Sequence, residues 1–196
     1  MRLFSFRPAL TIRGRTWKGL RGMSGKPLHP PLTDVPVGAV VLATGLDVVS
    51  VVVSGPLGRE LYRAGTFVLV GGVIAAVLAA VTGAADWLGS TPRRTQAWRT
   101  VNAHALVMAV VTVLLVAAGT MRLTWYADDT ATPLPMLALS VVAAGLTVAG
   151  GAIGGSLVYD YGFNVEVAGD SPVWHESAVD RLPGESTADS PSSAVP

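Results

Sequence analysis

Four long apolar runs divide the chain, at Val35–Val53, Gly65–Trp87, Val101–Met121 and Pro133–Val158, separated by short polar joints. None alternates with period two; each is continuously apolar for roughly 20 residues, the length a helix needs to cross ~30 Å of hydrocarbon. Only helices and closed barrels satisfy every backbone group in lipid, and continuous apolar runs exclude a barrel. The pattern therefore predicts an all-α polytopic membrane protein, an up-down bundle of four transmembrane helices with disordered termini. Residues 1–26 form a basic arm, 27–165 the membrane domain, and 166–196 a tail rich in Ser, Pro, Asp and Glu without periodicity.

Small residues recur along two of the runs. The second has Gly71, Ala75, Ala79 and Gly83 beside Gly72, Ala76, Ala80 and Ala84. The fourth has Ala143, Thr147, Gly151 and Gly155, with Gly150 and Gly154 adjacent. Such rows let helix backbones approach closely. They serve either the inside of the bundle or a seam between copies in a homo-oligomer.

Charge sets the orientation. The mean hydropathy of +0.51 averages over two polar tails. Arg2, Arg7, Arg13, Arg15, Lys18, Arg21 and Lys26 precede the first acid, Asp34; Arg93, Arg94 and Arg99 lie between runs two and three. Arg59, Arg63 and Arg122 fall on the other side. With Arg181 of the tail, eleven of the 14 basic residues lie on one side, so the positive-inside rule places both termini in the cytoplasm. Arg-rich, Ala/Val/Gly-rich usage reads as a GC-rich bacterial gene and hence a bacterial inner membrane. Residues 1–22 lack the apolar core of a secretory signal. They are either an arm drawn to anionic lipid or lie upstream of a true start at Met23. Lipid accounts for this charge without a nucleic-acid partner. The absence of Cys excludes disulfides, thiolate metal sites and a cysteine nucleophile in this sequence.

Candidate chemistry gathers at one depth. Alternating helix direction puts His29, Asp34, Asp86, Asn102, His104 and Tyr159 in a single layer at the inner face. His29 precedes proline and is expected to be extended. Asp34, with Pro36 two residues on, reads as an N-cap. Asp86 sits at a helix C-terminus, which disfavours an anion, so a partner such as His29, His104 or Arg99 is expected. A second feature lies about 20 Å deeper: Asp47, sharing a face with Thr44, Ser50 and Ser54. A carboxylate at that depth must face the bundle and be protonated or paired. Arg122, on the same face of its helix as His104, is the expected partner in a structural charge pair; a proton-relay carboxylate is the alternative.

The segment Gly25-Lys26-Pro27-Leu28-His29-Pro30-Pro31-Leu32-Thr33-Asp34-Val35-Pro36-Val37-Gly38 resembles the signature of a bacterial membrane family catalogued as domain of unknown function 2231. Asp47, Gly83 to Asp86-Trp87, His104, and Gly154-Gly155-Ser156-Leu157-Val158-Tyr159 with Gly162 follow in matching order, over roughly residues 23–165. The resemblance implies a four-helix inner-membrane protein with no assigned activity. Some relatives carry a fused Rieske-type iron–sulfur domain, which implies electron transfer with His29 and His104 as haem or metal ligands; here such a partner must be a separate polypeptide.

Three functions compete. In the first, His29 and His104 ligate a haem b with Asp86 or Asn102 orienting the imidazoles, or bind a divalent ion together with Asp34 or Asp86. The small-residue rows would leave space for the porphyrin. In the second, the chain is a cofactor-free accessory subunit. In the third, protons or ions pass along Asp47, Ser50, Ser54 and Arg122. No hydrolase triad, metalloprotease motif or phosphate loop occurs.

Overall fold

The computed structural model describes residues 3, 12, 14–53 and 55–165. The start of the arm, Ser54 and the tail from residue 166 lie outside the described residues. Four helices follow in order: α1 (His29–Val52), α2 (Pro56–Ser90), α3 (Gln96–Thr124) and α4 (Leu134–Tyr159), preceded by a single 3-10 turn at Gly19–Arg21. All four are long and apolar enough to cross a membrane, and the described residues contain no strand beyond isolated bridges.

The helices outrun the apolar runs. At 1.5 Å per residue the 35 residues of α2 extend about 50 Å, well past the hydrocarbon, so Arg59 and Arg63 lie on its first turns rather than in a loop. α1 starts at His29, with Pro30 and Pro31 in its first turn, where missing N–H groups cost no internal hydrogen bond. This corrects two expectations. His29 is the first helical residue instead of an extended one, and Asp34 lies exposed within the helix instead of capping it. Thr95 does cap α3, its Oγ1 accepting from the Trp98 N–H at 3.1 Å.

The buried residues are spaced alternately three and four apart. In α1 they are Pro36, Val40, Ala43, Asp47 and Ser50; in α2 they include Gly65, Leu69, Gly72, Ala76, Ala79 and Asp86. That is the 3.5-residue period of coiled-coil-like packing. The buried small residues therefore zigzag between the two rows seen in the sequence, while Gly71, Ala80, Ala84 and Gly151 are exposed. Exposed Leu78, Val113 and Val148 face outward, as lipid contact requires. The helices close into a ring, α1 against α2 most extensively, then α3 against α4, with α2–α3 and α4–α1 seams.

The two hairpins repeat one register. Adding 75 to Pro36, Val40, Ala43 and Asp47 gives Val111, Leu115, Ala118 and Arg122, all buried in α3. Adding 71 to Gly65, Leu69, Gly72, Ala76, Ala79 and Asp86 gives Met136, Ser140, Ala143, Thr147, Gly150 and Leu157, all buried in α4. The same shifts carry His29 to His104 and Gly83 to Gly154. Side-chain identity differs at most of these positions; what repeats is the packing role.

Two buried polar layers at opposite ends of the bundle

At one end, where the chain enters α1, the imidazoles of His29 and His104 meet with ring centroids 6.2 Å apart and planes at 81°. Each is seated by its own hairpin in the same way. His29 Nδ1 lies 2.8 Å from the Ala79 carbonyl and His104 Nδ1 lies 2.9 Å from the Gly150 carbonyl. A carbonyl only accepts, so each neutral ring carries its proton on Nδ1 and keeps its lone pair on Nε2. Four residues on from each carbonyl stands a glycine against the ring: a Cβ at Gly83 would lie 2.7 Å from His29, and one at Gly154 2.9 Å from His104. The glycines thus make room for the imidazoles themselves, not for the flanks of a porphyrin. Backbone carbonyls, not Asp86 or Asn102, fix the rings.

The other members of the expected layer disperse. Asp86, 3% exposed, accepts from Asn164 Nδ2 at 2.6 Å. Asn164 and Gly162 have left-handed backbones, φ 59° and 61°, which suit these residue types and turn the segment after α4 back across the bundle end. Asn102 Oδ1 is buried without a partner, Tyr159 is 88% exposed, and Asp34 is exposed. Among the described residues no three His, Asp or Glu groups converge as a metal site would need. Arg21 Nη1 donates to the Gly89 carbonyl at 3.1 Å and to Ser90 Oγ at 3.3 Å, tying the basic arm to the negative end of α2.

At the opposite end Asp47 and Arg122 form an ion pair with both side chains fully buried. Ser140 Oγ donates to Asp47 Oδ2 at 2.6 Å, and Thr132 Oγ1 to Oδ1 at 3.1 Å. Arg122 Nη2 also donates to Ser140 Oγ at 3.1 Å, and its guanidinium stands 5.1 Å above the Tyr62 ring. Ser50 Oγ donates to the Gly58 carbonyl at 2.7 Å and accepts from the Thr132 N–H at 3.0 Å. The carboxylate therefore has three donors from α3, α4 and the loop between them. A buried ion requires such a set to offset its lost hydration. Thr132, Ser140 and Tyr62 are the members that sequence reasoning missed. They lie in other segments and carry no motif; the need of a buried carboxylate for several donors points to residues such as Thr132 and Ser140, and nothing in the sequence pairs Tyr62 with Arg122.

The fold and these layers define a multi-pass membrane protein, its apolar helices in contact with the lipid bilayer. A family profile described as "Predicted membrane protein (DUF2231)" matches residues 25–167, and the chain belongs to that family. No curated protein and no solved structure matches it.

Proposed function

We propose that the bundle is a redox-associated membrane subunit in which His29 and His104 would hold one haem iron. The observation that carries this reading is the pair of imidazoles 6.2 Å apart, each held through Nδ1 with Nε2 left as the lone-pair atom. The 6.2 Å between ring centres would admit one metal atom bonded to both imidazoles at about 2 Å each. An Nδ1–H···O=C bond is the usual outer support of a ligating histidine, because it fixes the tautomer and raises basicity. One histidine from each equivalent hairpin suits a ligand placed between the halves. A divalent ion is the weaker version, since among the described residues no carboxylate or further imidazole joins the pair as a third ligand.

The proposed setting is a bacterial inner membrane with both termini cytoplasmic, from the basic excess at the histidine end. A separate Rieske-type protein is the proposed electron partner, on the family resemblance alone. The cofactor-free accessory role is the second reading; it is favoured by the hydrogen bonds and glycine notches that already seat both rings. Proton passage through Asp47 is disfavoured because Arg122, Ser140 and Thr132 hold that carboxylate. The deciding experiment is an absorption spectrum with iron analysis on protein purified in mild detergent from haem-replete cells. A Soret band with one haem per chain supports the reading. A folded, colourless, iron-free protein that takes up no added haem overturns it and leaves the accessory role.

A further inference from the structure

We propose that the cleft between α2 and α3 at the ion-pair end binds the headgroup phosphate of an anionic phospholipid. The cleft encloses about 190 Å³ and is lined by Tyr62, Arg63, Thr66, Phe67, Arg122 and Leu123, among others. Arg122 is 1% exposed, and its Nη2 is committed to Asp47 and Ser140, yet its Nε and Nη1 have no acceptor among the described residues. Tyr62 is equally buried, and its hydroxyl has no partner either. Thr66 Oγ1 donates to the Tyr62 carbonyl at 2.9 Å and accepts from none of these atoms. Buried donors left without acceptors are rare in folded proteins and call for one from outside the chain. Both side chains line the cleft, and the three atoms lie just beneath its surface.

Charge defines the acceptor. Asp47 cancels Arg122, but Arg63 is exposed at the rim and makes no ion pair among the described residues. The lining therefore holds one uncompensated positive charge and no carboxylate. Asp129 lies near enough to Tyr62 to act on it electrostatically, but does not line the cleft. A group of net charge −1 with several acceptor oxygens matches; the headgroup of phosphatidylglycerol is one, whereas in phosphatidylcholine the choline cation cancels the phosphodiester charge beside Arg63. The walls select lipid over a free anion. Phe67 is 69% and Leu123 57% exposed on membrane-spanning helices, where acyl chains would lie against them. Arg63 sits one helical turn from Phe67, placing headgroup and chain contacts on one face.

The test is native mass spectrometry of the full chain released from neutral detergent, titrated separately with phosphatidylglycerol, phosphatidylcholine and inorganic phosphate. The expected result is retention of one phosphatidylglycerol, with phosphatidylcholine held about tenfold more weakly and inorganic phosphate giving no adduct. Arg63→Gln alters an exposed side chain, and Tyr62→Phe keeps the ring beneath Arg122, so both should fold. Each should weaken phosphatidylglycerol binding by about tenfold, the loss of one charge-assisted hydrogen bond. Equal retention of the two lipids, unchanged affinity in both variants, or binding of inorganic phosphate as tight as that of phosphatidylglycerol would each overturn the assignment.

Discussion

Replacing Asp47 by Asn keeps the side chain's shape and removes its charge. Arg122 would then be a buried cation with neutral partners alone: the amide oxygen at position 47, Ser140 Oγ and the face of Tyr62. Breaking a buried pair by removing one partner typically costs about 3–5 kcal/mol, because the other charge stays in a low-dielectric site without compensation. The cost belongs at the upper end of that range here, since Ser140 and Thr132 also lose an ionic acceptor. Removing both charges should be far milder. In Asp47→Leu/Arg122→Met no charge stays buried, Ser140 Oγ can turn to a carbonyl of its own helix, as Thr147 Oγ1 does at 2.8 Å to Ala143, and Thr132 Oγ1 loses its acceptor. The double variant should lie within about 2 kcal/mol of the wild type. Unfolding in mixed micelles with increasing dodecyl sulfate, followed by far-ultraviolet circular dichroism, measures all three. A single variant within 1 kcal/mol of wild type, or a double variant no more stable than Asp47→Asn, would refute the argument that the pair is held by mutual compensation.

Gly83→Ala and Gly154→Ala each drive a methyl group into an imidazole, at 2.7 and 2.9 Å. Each should destabilise by about 1–3 kcal/mol and perturb the nitrogen resonances of the adjacent histidine, the two effects being alike because the sites are equivalent. Alanine at Gly71 or Gly151, where a Cβ meets nothing, is the control and should be neutral in the same unfolding assay. Asn164→Leu removes the donor to Asp86 and should release the turn after α4; hydrogen exchange of residues 160–165 should quicken by tenfold or more while the helices stay protected.

Much of this architecture was legible in the sequence because lipid imposes a one-dimensional rule: a span must be apolar for a membrane's thickness. The same rule hid the helix ends. Hydropathy falls where Arg59 and Arg63 begin, but the hydrogen-bond ladder of α2 runs on to Pro56, since a helix needs no hydrocarbon to continue. The prolines after His29 suggested an extended entry; in a first turn they are tolerated, so Asp34 moved from cap to helix interior. The shared layer of His29 and His104 follows from helix direction alone, whereas their orienting groups are main-chain carbonyls, which no side-chain pattern announces. The partners of Asp47 on α4 and in the loop before it are ordinary Ser and Thr residues, more than 80 positions away. Across the buried positions and the imidazole sites, the repeat of the hairpins shows in residue identity only at the histidines, the glycines beside them and Ala43 with Ala118; elsewhere, as where Asp47 answers to Arg122 and Leu69 to Ser140, it emerges from which positions are buried.

The central claim is that one imidazole from each hairpin serves a common iron, and electron paramagnetic resonance of the oxidised, haem-loaded protein tests it most directly. Two axial imidazoles give a single low-spin ferric signal, which should become high-spin in His29→Ala and in His104→Ala alike. A high-spin signal in the unaltered chain, or a low-spin signal that survives loss of either histidine, would contradict the account.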